Sequence, residues 1–280
     1  MNSASLSPRA TESGIVLLHG WGMTPAVWAP MQALLGGRRS VALALPGHAG
    51  AVAAPDADVA AWSDHLATQL PPAATVVGWS LGALLALDLA RRYPERVARL
   101  VLIGGTARFV ADDAPAPGAW PGLAPEAVEA FRAGFTHDPH ATLKRFLALQ
   151  CLGETDRRGV QAQLGAALTP LEARTKPDGD ASSAPARDGV EAQTTPACAA
   201  LADGLALLAC TDLRATLPRI EQPCLLIHGQ HDALMPLAAA QAMARTLPHA
   251  RLEVLQGCGH ALPLSRSADC ARLIEGFADA

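Results

Sequence analysis

The stretch TVVGWSLGALLALDLARRYP, residues 75–94, decides the fold. A β-branched run, residues 75–77, leads into Gly78-Trp79-Ser80-Leu81-Gly82, and an apolar helical pattern then follows as far as Pro94. A G-x-S-x-G pattern between a strand and a helix is typical of a sharp turn that presents the serine at the carboxyl end of the strand. The proline ends the helix, because it disfavours helical geometry at the residue before it.

The same alternation of apolar run, glycine or proline, and helical pattern recurs on both sides of this stretch. We predict strands at 15–18, 40–45, 75–77, 100–103, 224–227 and 252–255. We predict helices between them at 58–70, 81–92, 236–247 and 266–278. Such an alternation indicates an α/β fold with a mostly parallel central sheet and helices on both faces.

The middle of the chain departs from this rhythm. Helical patterns at 125–135, 139–152, 156–168 and 197–210 occur there without a recognisable strand. We interpret residues 107–218 as a helical cap inserted into a core formed by 1–106 and 219–280. Within the cap, 169–196 is rich in Pro, Gly, Ser and Asp, so we expect it to be flexible.

Composition excludes several classes of function. The 280 residues are 50% hydrophobic and 17% charged, with a net charge of −4, so a large core is expected and a basic surface for nucleic acid is not. The six cysteines show no C-x-x-C spacing, which favours reduced thiols. No leader and no membrane-length apolar run is recognisable, and we therefore expect a soluble cytoplasmic protein.

Ser80 is the candidate nucleophile, and it needs a base that is oriented by a carboxylate. His260 follows the last apolar run, in Gly257-Cys258-Gly259-His260, and is the candidate base. Asp232 follows the run at 224–227 and is the candidate acid, although it could also serve as a turn or helix-capping residue. Asp112 or Asp113, after the run at 100–103, is the rival acid.

His19-Gly20-Trp21-Gly22 follows the first strand and resembles an oxyanion loop. We expect the backbone N–H groups of Trp21 and Leu81 to bind a developing oxyanion. Two histidine pairs, His228-x-x-His231 beside Asp232 and His137-x-x-His140, could suggest a metal. Neither pair brings a third convergent ligand, so we expect no metal.

These segments together resemble a known family. HGWGM (19–23), GWSLGALLALDLARRYPERVARLVLIG (78–104), HGQHDALMP (228–236) and GCGHA (257–261) resemble the α/β-hydrolases. RFLALQ (145–150), followed by Gly153-Glu154-Thr155, narrows the resemblance to the biotin-pathway esterases that demethylate pimeloyl-[acyl-carrier protein] methyl ester. The resemblance covers nearly the whole chain except about 169–200.

The resemblance implies a serine carboxylesterase that needs no cofactor, with Ser80, Asp232 and His260 as the triad. It also implies that the helix bearing Phe146, Leu147, Ala148, Leu149 and Gln150 covers the acyl chain. The family's partner is an acidic acyl-carrier protein, which here would meet Lys144, Arg145, Arg157 and Arg158. Gln161 stands where a further arginine is expected.

Two other functions fit the same residues. One is a general short-chain carboxylesterase or lactonase that acts on small-molecule esters without a carrier protein. The other is a non-catalytic binding protein on a hydrolase scaffold, which an intact Ser80, Asp232 and His260 disfavours. We expect no nucleic-acid or membrane partner, and we expect a monomer.

Overall fold

A computed structural model describes residues 14–36, 38–112, 118–171 and 195–278. Its single sheet has six parallel strands in the order β2-β1-β3-β4-β5-β6, which confirms the predicted α/β fold with a parallel central sheet. The strands are β1 (Ile15–Leu18), β2 (Ser40–Leu43), β3 (Ala74–Trp79), β4 (Val97–Ile103), β5 (Cys224–Gly229) and β6 (Ala250–Leu255).

Ten α-helices accompany the strands in the described residues. They are α1 (Ala29–Gln32), α2 (Val59–Ala67), α3 (Leu81–Arg92), α4 (Pro125–His137), α5 (Pro139–Gln150), α6 (Arg157–Ala166), α7 (Pro196–Cys210), α8 (Leu237–Thr246), α9 (Leu262–Ser265) and α10 (Ser267–Ala278). In this part of the chain, none of the helices has the length and apolar character required to cross a bilayer.

Side-chain alternation along the strands divides the core into two layers. In β1, Val16 and Leu18 face the layer that contains α2, α3 and α8, whereas Ile15 and Leu17 face the layer that contains α1, α9 and α10. Successive residues of a strand point to opposite faces, so a strand covered on both sides must be apolar throughout. All four residues of β1 and all six of β3 are buried, as this arrangement requires.

Helices α4 to α7 form a helical insertion between β4 and β5. Helix α4 contacts α5 and α7, α5 contacts α6, and α6 contacts α9 of the core. The described residues between β4 and β5 contain isolated bridges but no strand of the sheet, in agreement with the predicted helical middle of the chain. Most of the segment predicted to be flexible, 172–194, lies outside the described residues, so that prediction stays a prediction.

Candidate active site

Ser80 occupies a strained turn between β3 and α3. Its φ of 56° and ψ of −117° are unusual for a residue with a side chain. A Cβ on Gly78 would lie 2.2 Å from the Gly82 carbonyl oxygen, and one on Gly82 would lie 2.2 Å from the Leu18 carbonyl oxygen. Both glycines of the G-x-S-x-G pattern are therefore required by close backbone contacts, and these contacts hold the turn that presents Ser80.

The imidazole of His260 is hydrogen-bonded to the carboxylate of Asp232. Asp232 lies in the loop after β5 and His260 in the loop after β6, and the distance from His260 Nδ1 to Asp232 Oδ2 is 2.7 Å. The other carboxylate oxygen, Oδ1, accepts the backbone N–H groups of Leu234 and Met235 at 2.9 and 2.8 Å. Both oxygens of the buried carboxylate thus have donors, and the one that faces His260 fixes a proton on Nδ1.

Burial alone would raise the pKa of Asp232, because it disfavours the charged form. The charge and hydrogen bond of His260, the charge of His228 and the backbone bond from Met235 outweigh burial and hold the pKa of Asp232 below its ordinary value. Asp232 is therefore ionised at neutral pH. An ionised carboxylate beside Nδ1 leaves Nε2 as the ring nitrogen that can accept a proton.

The ends of four strands bring Ser80 and His260 to one place. The Ser80 N–H donates to the carbonyl of Ile103 at 3.0 Å, and the next residue, Gly104, has φ +51°. A Cβ on Gly104 would lie 3.2 Å from the His260 ring and 3.4 Å from Asp232 Oδ2. His260 Nε2 is buried and has no hydrogen-bond partner among the described residues. It is thus available to a hydroxyl or a substrate.

The loop after β1 packs directly on the serine turn. A Cβ on Gly20 would lie 3.3 Å from the Cβ of Ser80. His19 Nδ1 donates to the Gly20 carbonyl at 2.9 Å, and His19 Nε2 accepts the N–H of Leu45 at 3.1 Å. Burial, followed by the charge of nearby His48, lowers the pKa of His19 to about 3. The neutral ring thus links the loop after β1, at Gly20, to the backbone after β2, at Leu45.

Trp21 and Leu81 are the two residues whose N–H groups were predicted to bind an oxyanion. Leu81 is the first residue of α3, so its N–H has no acceptor within the helix. The indole Nε1 of Trp21 donates to the Leu201 carbonyl of α7 at 2.7 Å. Because this N–H already has an acceptor, the indole can line the site but is not free to donate to a ligand. Three phenylalanines, Phe131, Phe135 and Phe146, meet that ring edge-on at centroid distances of 5.7, 5.5 and 4.9 Å.

An apolar pocket of about 270 Å³ lies beside the loop that carries Asp232, between the helices of the insertion. Its walls include Phe146 and Leu149 of α5, Leu205 of α7, and Ala233 and Leu234, which directly follow Asp232. Arg145 is the charged residue of its lining. The rest of the lining is apolar, which favours an apolar ligand.

The five residues predicted to cover an acyl chain do not share one environment. Phe146 and Leu149 line the pocket, whereas Leu147 packs in the opposite core layer with Cys151, Val160 and Leu164 of the neighbouring turn and α6. Gln150 is buried, and its Nε2 has no partner in the described part of the chain. Ala148 is half-buried.

Several residues that line the pocket were not predicted from the sequence. These are Phe131, Leu205, Leu208 and Leu234, of which the first three lie in none of the motifs quoted above. The available signal was weak, since apolar residues at helical spacing in α4 and α7 indicate only a buried face. Leu234 lies two residues after Asp232, in a loop that follows a strand end, and this position was a better indication that it lies near the site.

The rival acid Asp112 lies in a different setting. Its carboxylate pairs with Arg108 and with Arg214, and its Oδ2 accepts the Trp120 N–H at 2.7 Å. These contacts join the start of the insertion to its end. Asp113 lies outside the described residues.

The predicted carrier-docking residues, Lys144, Arg145, Arg157 and Arg158, are all exposed. Lys144 and Arg145 line different pockets on the two sides of α5, and Arg157 begins α6.

Of the metal candidates, His228 Nε2 donates to the Met235 carbonyl at 2.8 Å. Among the described residues, no three metal-ligating side chains form a group.

Comparisons with known proteins agree with this geometry. Residues 15–267 match a family model described as the alpha/beta hydrolase fold. The chain is 50% identical over 263 residues to a pimeloyl-[acyl-carrier protein] methyl ester esterase of Aromatoleum aromaticum, covering 93% of this chain and 96% of that one. It is 36% identical to the protein of that name from Nitrosomonas europaea, covering 94% and 95%. An esterase structure from Exiguobacterium antarcticum superposes with a TM-score of 0.77 at 19% identity, covering 96% and 92%.

Proposed function

Because the chain belongs to the pimeloyl-[acyl-carrier protein] methyl ester esterases of the α/β-hydrolase family, we propose that it hydrolyses the methyl ester of pimeloyl-[acyl-carrier protein] in biotin biosynthesis. The products are pimeloyl-[acyl-carrier protein] and methanol. The observation that carries the chemistry is the strained Ser80 turn beside the bonded pair of His260 and Asp232.

In the first half of the reaction, Ser80 Oγ attacks the ester carbonyl and His260 Nε2 accepts the serine proton. The charge that develops on the carbonyl oxygen is bound by the N–H groups of Leu81 and Trp21. Collapse of this intermediate expels methanol, which takes the proton back from His260. The acyl group is then held as an ester of Ser80.

In the second half, His260 removes a proton from water, which attacks the acyl-enzyme. Collapse of the second intermediate releases the acid product, and His260 returns the proton to Ser80 Oγ. Asp232 keeps the proton of neutral His260 on Nδ1 and stabilises the imidazolium that forms twice in each cycle. The loop bonds from Leu234 and Met235 hold this carboxylate in place. All proton transfers therefore pass through one nitrogen, His260 Nε2.

The apolar pocket, which is lined in part by Ala233 and Leu234 directly after Asp232, supports binding of an acyl chain of methylene groups. The exposed Arg145, Arg157 and Arg158 support docking of an acidic carrier protein on the insertion. We also propose that the enzyme is a cytoplasmic monomer. All six cysteines lie in described residues and are free, as expected in a reducing compartment.

The decisive experiment is growth without biotin of a bacterial strain that lacks its own esterase of this pathway, when this gene is supplied. Growth with the wild-type gene and none with the Ser80→Ala gene is expected. In parallel, kcat/KM is measured for the carrier-bound methyl ester and for free methyl butyrate. Equal values for the two substrates, together with no growth, would instead favour a general esterase.

A further inference from the structure

The turn after α5, residues 151–155, lies against the loop that carries His260. Glu154 Oε1 accepts the backbone N–H of Gly259 at 2.9 Å, and both residues are buried. A Cβ on Gly259 would lie 2.0 Å from the Leu152 carbonyl oxygen, so the two backbones are in close contact. Thr155 Oγ1 adds a longer bond of 3.4 Å to the Gly257 carbonyl.

The same turn also contacts the loop that carries Asp232. Gly153 has φ +85°, and a Cβ there would lie 2.6 Å from the Cβ of His231 and 2.8 Å from its carbonyl oxygen. His231 directly precedes Asp232. The turn after α5 therefore packs on the residue before the acid and on the residue before the base.

Among the groups that hold the His260 loop, three come from different parts of the fold. Trp79 Nε1 of β3 donates to the His260 carbonyl at 3.0 Å, and Asp232 after β5 accepts from the ring. Glu154 is the third, and it belongs to the helical insertion. A buried backbone N–H needs an acceptor, and Glu154 supplies one to Gly259, the residue before His260, so its removal would leave that donor unpaired beside the proposed base.

We propose that Glu154 is a positioning residue, which acts through the N–H of Gly259 to hold His260 Nε2 in line with Ser80. It has no contact with the reacting atoms. The inference rests on the proposed function only in taking His260 as the base. Displacing a catalytic group by about 1 Å costs on the order of 100-fold in rate, so loss of this bond is expected to lower kcat.

Three substitutions separate the hydrogen bond from the charge. Glu154→Gln keeps an acceptor at the same reach and removes the charge. Glu154→Asp keeps the charge but withdraws the acceptor by one methylene, and Glu154→Met removes both while filling the same space. Hydrolysis of p-nitrophenyl butyrate is measured as separate kcat and KM values, and melting temperatures confirm that each variant is folded.

We expect Glu154→Gln to stay within about threefold of the wild-type kcat, and Glu154→Asp and Glu154→Met to fall about 10- to 100-fold with KM changed less than twofold. Thr155→Val, which removes the longer bond of the same turn, is the matched control and should stay within twofold. A wild-type kcat in Glu154→Asp, or a Gln variant as slow as the Met variant, would overturn the proposal. Absence of hydrolysis by the wild-type enzyme would instead contradict the esterase function itself.

Discussion

Replacement of Asp232 by Asn tests the triad most sharply, because the surrounding donors dictate how the amide must lie. Oδ1 accepts two backbone N–H groups, from Leu234 and Met235, while Oδ2 accepts from His260. If the amide nitrogen faced the backbone, two buried donors would be left unpaired, at about 1–3 kcal/mol each. The amide oxygen therefore stays toward the backbone, and the NH₂ group faces His260.

An NH₂ group that donates to His260 Nδ1 forces the proton of the neutral ring onto Nε2. That nitrogen can then no longer accept the proton of Ser80. Loss of tautomer control in a serine triad lowers kcat on the order of 10⁴-fold, which corresponds to about 5 kcal/mol in activation free energy. The volume of the side chain is unchanged, so the fold should be retained.

The assay is the kcat for p-nitrophenyl butyrate, with far-UV circular dichroism and the melting temperature of each protein as checks of folding. Asp112→Asn is the matched control, since Asp112 is also a carboxylate with several donors but lies in the cluster with Arg108 and Arg214. It should stay within about threefold of wild type. Asp232→Asn within tenfold of wild type, or a loss beyond 100-fold in Asp112→Asn, would refute this assignment of the acid.

Three further predictions concern Ser80, the exposed arginines of α6, and the buried pair His19 and His48. Ser80→Ala should lower kcat for p-nitrophenyl butyrate on the order of 10⁶-fold; retention within tenfold of wild type would contradict its role as nucleophile. Arg157→Glu with Arg158→Glu should raise KM for the carrier-bound ester about tenfold at low salt and leave KM for p-nitrophenyl butyrate within twofold, since only the carrier is steered by charge; equal losses on both would indicate a damaged insertion. Burial lowers the pKa of His19 to about 3 and of His48 to about 4, so below pH 6.5 the unfolded chain binds protons that the folded one excludes. From pH 7.5 to 5.5 the pair should reduce the free energy of unfolding by about 3 kcal/mol, measured with urea, and His48→Gln should halve that loss; an unchanged value in wild type would show that the rings are not held neutral.

The loops that carry Ser80, Asp232 and His260 were predictable because each follows an apolar strand and has a glycine close to the strand end. Parallel strands end at one edge of the sheet, so residues after β3, β5 and β6 meet there whatever the helices do. The bounds of the strands were predicted less well. Strand β3 begins at Ala74 rather than at residue 75, and β4 begins at Val97 rather than at residue 100, whereas β2 ends at Leu43 rather than at residue 45. Hydrogen bonding with neighbouring strands, rather than local composition, decides these limits.

The walls of the apolar pocket were not predictable in the same way. Whether Phe146 or Leu147 faces the pocket depends on how α5 is rotated against α4 and α6, and apolar residues occur on both of its sides. The bond between Glu154 and Gly259 joins residues 105 positions apart and has no sequence signal of its own. Contacts of this kind arise from the packing of whole helices, which single-sequence patterns do not encode.

The pairing of β4 with β5 also has a consequence for folding kinetics. Leu100 of β4 pairs with Cys224 of β5, so two neighbouring strands are separated in the chain by the entire insertion. Closing so long a loop costs entropy before the contacts repay it, and such non-local pairing slows folding. Strands β1 to β4, which present Ser80, can assemble first, whereas Asp232 and His260 arrive only when β5 and β6 dock. We therefore expect Ser80 to be in place during refolding before the two residues proposed to activate it, and secondary structure to be regained ahead of hydrolytic activity.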